Sequence, residues 1–171
     1  MKIVIILFFA LFIISGCDTN QKPPQNGLVR KPTGMKEFPI DDHYEYSGGN
    51  LVRFTRFFAN GKIYTTTLST DSGIHRTEWF YESGKPCGVS IENTKPVSQT
   101  VWDENGNTLY EFKSETGHKR KGIWYYLNGE TMEIAEFMND QRHGKWFQWD
   151  SLGFQTRKEW YANGVLIKKI K

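Results

Sequence analysis

The chain has almost no means of covalent cross-linking. Its 2 cysteines among 171 residues allow at most one intramolecular disulfide, so a disulfide scaffold is excluded and the fold must stand on packing. Histidine is equally sparse: His43, His75, His118 and His143 stand at no metal-ligand spacing, and with so few thiols they give no zinc pattern. Also missing are a serine-centred nucleophile elbow, a glycine loop leading to Lys-Ser or Lys-Thr, and a dinucleotide fingerprint. The expectation is therefore a protein with no catalytic residues, no metal and no cofactor. Neither sign of charge dominates, with 22 Lys+Arg against 19 Asp+Glu for a net +3, and near-neutrality argues against nucleic acid as a partner. No segment keeps a 3.6-residue hydrophobic period, which leaves no amphipathic helix to expect. Two acidic pairs, Asp41-Asp42 beside His43 and Asp103-Glu104, read as solvated, because neighbouring strand residues face opposite ways and form no common site. The run His118-Lys119-Arg120-Lys121 reads as a solvated hairpin tip.

What is present begins with an unbroken apolar run at residues 3–14, behind Lys2. Crossing a bilayer takes about 20 apolar residues, so this run is read as the core of a secretory signal. It ends in Ile14-Ser15-Gly16-Cys17, which resembles the bacterial lipobox: a branched apolar residue, two small ones, then cysteine. The resemblance implies cleavage before Cys17, lipid on its sulfur and a place in the cell envelope, on the outer side of the cytoplasmic membrane or at the outer membrane. Two or three acyl chains anchor a protein stably, since each buried methylene contributes ~0.8 kcal/mol. With Cys17 so used, Cys87 has no disulfide partner, and it reads as a buried small hydrophobe rather than a reactive thiol. Removing Lys2 with the signal leaves 21 basic against 19 acidic residues, or +2. The organisation expected is a signal peptide at 1–16, a proline-bearing lipidated tether at 17–43, and a folded domain at 44–171.

From residue 44 onward the chain repeats. Gly61, Gly84, Gly106, Gly129 and Gly153 are separated by 23, 22, 23 and 24 residues, with Gly164 half a period later. Four residues before each glycine stands a ring: Phe57, Phe80, Trp102, Tyr125, Trp149 and Trp160. The residue just before is Asn or Ser at all but Leu152. Asn-Gly between apolar runs predicts a two-residue type I′ hairpin turn with positive φ at both central positions. Three residues after the glycines come Tyr64, Cys87, Leu109, Met132, Thr156 and Ile167, expected in the same layer as the incoming ring.

Asn139-Asp140-Gln141-Arg142-His143-Gly144-Lys145-Trp146 followed by Gly153, Gly122-Ile123-Trp124-Tyr125-Tyr126-Leu127-Asn128-Gly129, and Glu159-Trp160-Tyr161-Ala162-Asn163-Gly164 resemble MORN repeats, especially their bacterial variant form. The resemblance covers residues 51–171 and weakens in the earlier units, near 65–72 and 91–99. It implies an all-β fold in which repeats of about 23 residues form hairpins laid side by side in an elongated antiparallel sheet. It also implies a scaffold without catalytic residues, and some bacterial members of that family carry the label antitoxin.

Alternation then suggests a binding face. Three residues before the glycines stand Phe58, Tyr81, Asp103, Tyr126, Asp150 and Tyr161, with Trp79 and Trp124 two positions earlier on that face. Tyr81, Tyr126, Tyr161, Trp79 and Trp124 are the candidate contact residues, either buried by curling of the sheet or exposed to a partner. The function expected is a membrane-anchored, non-catalytic module for an unidentified protein partner, immunity- or antitoxin-like. A structural or glycan-binding envelope protein is the alternative. Edge strands at the ends of a repeat sheet invite strand addition.

Overall fold

The computed structural model describes residues 24–70, 72–92, 97–114 and 118–170. They form one open antiparallel sheet of 13 strands whose spatial order is the chain order. The strands are β1 (Gly27–Lys31), β2 (Asp42–Ser47), β3 (Asn50–Phe57), β4 (Ile63–Ser69), β5 (His75–Phe80), β6 (Pro86–Glu92), β7 (Val97–Trp102), β8 (Thr108–Ser114), β9 (Lys119–Tyr125), β10 (Thr131–Met138), β11 (Gln141–Trp149), β12 (Gln155–Ala162) and β13 (Val165–Ile170). The all-β sheet of repeated hairpins is thus as expected. Thr, Val, Ile and aromatic residues fill the strands because branched and ring side chains fit a pleated surface. The weaker early units keep the same architecture as the late ones.

The sheet begins earlier than the tether boundary at 43. β1 pairs with β2 from Gly27↔Tyr46 to Lys31↔Asp42, so residues 27–31 and 42–43 belong to the sheet. The prolines at 32 and 39 lie in the connection between these strands, where a missing N–H breaks no ladder. Residues 17–23, Cys17 included, lie outside the described residues, as does the signal segment. Phe38 does not form a strand. It folds back so that its ring lies 4.7 Å from that of Tyr64 and 6.4 Å from that of Phe58.

The glycine period marks one end of the sheet. In the loop after β3 the Phe58 amide donates to the Lys62 carbonyl at 2.8 Å and the Gly61 amide to the Phe58 carbonyl at 3.0 Å; the same pair of bonds recurs at Tyr81, Asp103, Tyr126 and Asp150. These are three-residue loops, not two-residue type I′ turns. Only the glycines take positive φ there, from 82° to 90°, while Asn60, Asn105 and Asn128 do not. A type I turn closed by a glycine in the left-handed region, followed by a bulge, is the usual three-residue hairpin. Each loop is followed by a register shift that skips one residue: Tyr64, Cys87, Leu109, Met132 and Thr156. The apolar position three after glycine is therefore the bulge. Bulging moves Tyr64 off the side of Phe57 and onto that of Phe58, whose ring is 5.2 Å away, while Phe57 meets His43 at 4.7 Å.

Gly164 belongs to the opposite end. There Asn163 (φ 48°) and Gly164 (φ 81°), and likewise Asn139 (φ 50°) and Asp140 (φ 63°), form two-residue turns with both centres left-handed, the geometry expected of type I′.

Directly paired residues share a face. On one, called face A, the pairing runs Thr65, Trp79, Gly88, Val101, Tyr110 and Trp124, and beside it Phe112, Gly122, Ala135, Trp146 and Glu159. The other is face B. No second layer covers either, and Ala135 is the one buried apolar side chain among the described residues. Burial comes instead from rings lying across small neighbours. A Cβ on Gly88 would stand 3.2 Å from the Trp79 ring, and one on Gly122 2.6 Å from the Trp124 ring. Cross-strand pairs rather than a core hold this sheet together.

Candidate interaction surfaces

Of the candidate contact residues, Tyr81 and Tyr126 occupy equivalent places at the regular-loop end of face A. The Tyr81 hydroxyl donates to the Trp102 carbonyl at 2.7 Å, and the Tyr126 hydroxyl to the Trp149 carbonyl at 2.9 Å. Each tyrosine thereby ties its loop to the next. Where the position is aspartate the carboxylate closes its own loop: Asp103 Oδ1 accepts from the Asn105 and Asn107 amides at 2.9 and 2.8 Å, and Asp150 Oδ1 from Leu152 and Phe154 at 3.0 and 2.9 Å. These donors, with the Asn107 side-chain amide as the largest influence, hold the Asp103 carboxyl below its ordinary value. Asp103, expected to be solvated, is half-buried, and its lone pairs are used by the turn. Lys62 and Lys85 add bonds to the Ser83 and Glu104 carbonyls at 2.7 and 2.9 Å, so bonds tie the first loop to the second and the second to the third, as they tie the fourth to the fifth.

Tyr161 does not join that row. It pairs with Gly144 toward the opposite end, and its ring lies 5.8 Å from that of Trp146. The Arg142 guanidinium stacks 3.4 Å from the Trp146 ring centroid and 5.4 Å from that of Tyr161. The Tyr161 hydroxyl donates to Glu159 at 2.9 Å. Trp79 and Trp124 are half-buried over Gly88 and Gly122. All five candidates are half-buried, and the three hydroxyls are engaged within the sheet.

Two carboxylates on face A are buried in ways the sequence did not announce. Asp42, expected to be solvated, is only 3% exposed. It receives Arg56 Nε at 2.9 Å and Nη2 at 2.6 Å, and the rings of Phe38 and Phe54 flank the guanidinium at 5.6 and 5.5 Å. The Asp42 bonds raise the pKa of Arg56 further. Glu159, 4% exposed, takes the Tyr161 hydroxyl and lies 3.1 Å from Lys169 Nζ and 3.7 Å from Arg157 Nε. The Tyr161 bond first, then Lys169 and Arg157, hold its carboxyl below the ordinary value.

Face B carries a different chemistry. Lys113 and Lys121 are directly opposite partners on β8 and β9. Trp160 is opposite Lys145 on one side and Lys168 on the other, and Lys158 stands two residues before it on the same face. The Lys158 and Lys168 ammonium groups are 6.0 and 5.2 Å from the Trp160 ring. The Phe147 ring lies 5.0 Å from that of Trp160 and 6.2 Å from that of Trp149. Among the described residues none of these five lysines has a carboxylate within ion-pair distance; the acids nearby are committed, Glu111 to the Tyr125 hydroxyl at 2.7 Å and Glu136 to the Lys145 amide at 2.9 Å. A surface depression of about 320 Å³ opens between β7 and β9, lined by Thr100, Glu111, Lys113, Lys121 and Ile123 among others. The run beginning at His118 is not a hairpin tip: Lys119, Arg120 and Lys121 lie in β9, and Arg120 pairs with Asp140.

The last strand is exposed along its whole length. Val165, Leu166, Ile167 and Ile170 are 65%, 46%, 63% and 41% exposed, and among the described strands β13 pairs with β12 alone. Burial raises the pKa of the half-buried Cys87 thiol, which keeps it in the poorly nucleophilic protonated form. Among the described residues no group of three potential metal ligands comes together, and no helix is long and apolar enough to cross a membrane. No family model matches the chain, and no curated protein matches it.

Proposed function

We propose that this is a lipid-anchored envelope protein whose sheet acts as a non-catalytic docking module, recruiting a partner protein by strand addition at β13. The observation that carries the reading is the edge itself. Among the described residues β13 presents one side of its backbone without a neighbouring strand, together with four exposed apolar side chains. Long apolar edges are ordinarily shortened, charged or covered because they template pairing with another chain. An extended partner segment would gain main-chain hydrogen bonds there and cover those side chains, the recognition mode known as β-augmentation. Lys168 and Lys169 favour an acidic segment and disfavour a second copy of β13, whose own lysines would be brought alongside. The lipobox-like residues at 14–17 support the anchor, and the MORN-like repeats support a scaffold.

The anchor is tested by metabolic labelling with a fatty acid: label incorporated by the wild-type chain is expected to vanish in Cys17→Ser. The docking edge is tested with a photo-cross-linking residue at position 167 in cells. A single protein adduct is expected, lost when Leu166, whose amide faces away from β12, is replaced by proline and retained in Tyr126→Phe. Absence of an adduct, or one indifferent to the proline, overturns the docking reading.

A further inference from the structure

The lysines of face B break a rule that the rest of the sheet keeps. Like charges directly opposite on neighbouring strands are destabilising, yet Lys113 faces Lys121, and among the described residues neither lysine forms an ion pair, although Glu136 stands opposite Lys121 on its other side. A second cationic cluster, Lys145, Lys158 and Lys168, surrounds the indole of Trp160. The two clusters lie three to four strands apart, roughly 15 to 20 Å at ~4.8 Å per strand. Departures of this kind, offset by no ion pair among the described residues, are where function is to be sought.

We propose that face B from β8 to β13 binds a linear acidic polysaccharide. One anionic group sits between Lys113 and Lys121 over the depression beside them. A second meets Lys145, Lys158 and Lys168, with a sugar ring against the Trp160 and Phe147 side chains. The character of the face selects this occupant over an acidic peptide. All strands from β8 to β12 are paired on both sides, so a peptide laid across them finds no main-chain partners. A glycan keeps its hydroxyls in water and asks only for cations and an apolar ring face. The inference does not rest on the docking edge, since four of the five lysines lie on other strands.

The test uses the purified full-length protein with two probes, oligogalacturonides and poly(glycerol phosphate), which separate carboxylate-bearing from phosphate-bearing polymers. Methyl-esterified oligogalacturonides, poly-L-glutamate and oligothymidylate are the comparators. Binding is followed by indole fluorescence and affinity electrophoresis. At least one of the two probes is expected to bind, weakening as salt rises, and the uncharged ester is expected not to. The double variant Lys113→Gln/Lys121→Gln should weaken binding about tenfold or more, while its circular dichroism and melting stay as in the wild type. Lys145→Gln/Lys158→Gln should do the same and abolish the fluorescence change. Failure of both probes, equal binding by the variants, or tighter binding of poly-L-glutamate or oligothymidylate overturns the proposal.

Discussion

The two flanks of the sheet solve the same problem differently. Each buries a carboxylate on face A among cations: Asp42 with Arg56 near the start, Glu159 with Lys169 and Arg157 near the end. At the first flank the connection from β1 to β2 carries Phe38 over the Arg56 guanidinium and against Phe58 and Tyr64. At the last flank nothing among the described residues plays that part, and β13 pairs there with β12 alone. A sheet without a second layer has no core to hide its ends in, so each end needs its own cover. The start covers its buried pair from its own sequence, although β1, like β13, is an edge strand with one partner among the described strands. The contrast, together with the exposed apolar side chains of β13, favours the proposal of docking at the last strand.

Breaking the covered flank should have the largest effect. Arg56→Ala leaves Asp42 buried without its partner and is expected to cost about 3 kcal/mol, the lower end for a severed buried pair, in urea unfolding. Replacing both residues with apolar ones of similar volume should recover much of that loss. Phe38→Ala comes next, at roughly 2 kcal/mol, because a half-buried ring is removed from a contact that closes only partly. It should also raise hydrogen exchange in β2 and β3 and leave β11 to β13 unchanged. Between the flanks, Tyr126→Phe removes one loop-to-loop hydrogen bond. About 1 kcal/mol is expected, with faster exchange confined to the two loops at 126–130 and 150–154.

Much of this architecture was legible in the glycine spacing, because a three-residue hairpin loop can accept almost nothing else at its left-handed position. The same spacing misled on two points. Asn-Gly suggested type I′ turns, but Asn60, Asn105 and Asn128 sit in ordinary right-handed geometry, and the two-residue turns are at the other end, one of them made by Asn139-Asp140 without glycine. Strict alternation put Tyr64 and its equivalents in the layer of Phe57. A bulge at every regular loop resets the alternation, and no local residue pattern reveals on which side of it a ring will fall. β1 escaped notice because a proline-bearing stretch reads as tether whether or not five residues of it pair with a strand. The lysines of face B are the clearest case. Positions 113, 121, 145, 158 and 168 have no meaning along the chain, and only the strand register sets them side by side. Tyr81, Tyr126, Trp79 and Trp124 were picked out by periodicity, which marks repeated packing as readily as repeated contact with a partner.

The smallest expected effect separates the flanks by pH. Glu159 is held below the ordinary value of 4.5 in the folded chain, chiefly by the Tyr161 hydroxyl. A depressed folded pKa means the unfolded state binds the proton more tightly, so the stabilisation from Glu159 is fully present above about pH 4.5 and is lost as pH falls through the lower folded value. Glu159→Gln should therefore be less stable than wild type at neutral pH, with the difference shrinking in acid. Tyr161→Phe removes the leading cause of the shift, so it should flatten the same limb of the curve while keeping the carboxylate and its lysine and arginine neighbours. Asp103→Asn is the control at the regular-loop end, where the limb is expected below 3.8. If Tyr161→Phe left the acid limb between pH 3 and 5 untouched, the carboxylate would owe its state to Lys169 and Arg157 alone. The open flank would then be organised by β13 rather than by Tyr161 on β12, and a strand added at β13 would shift the Glu159 titration directly.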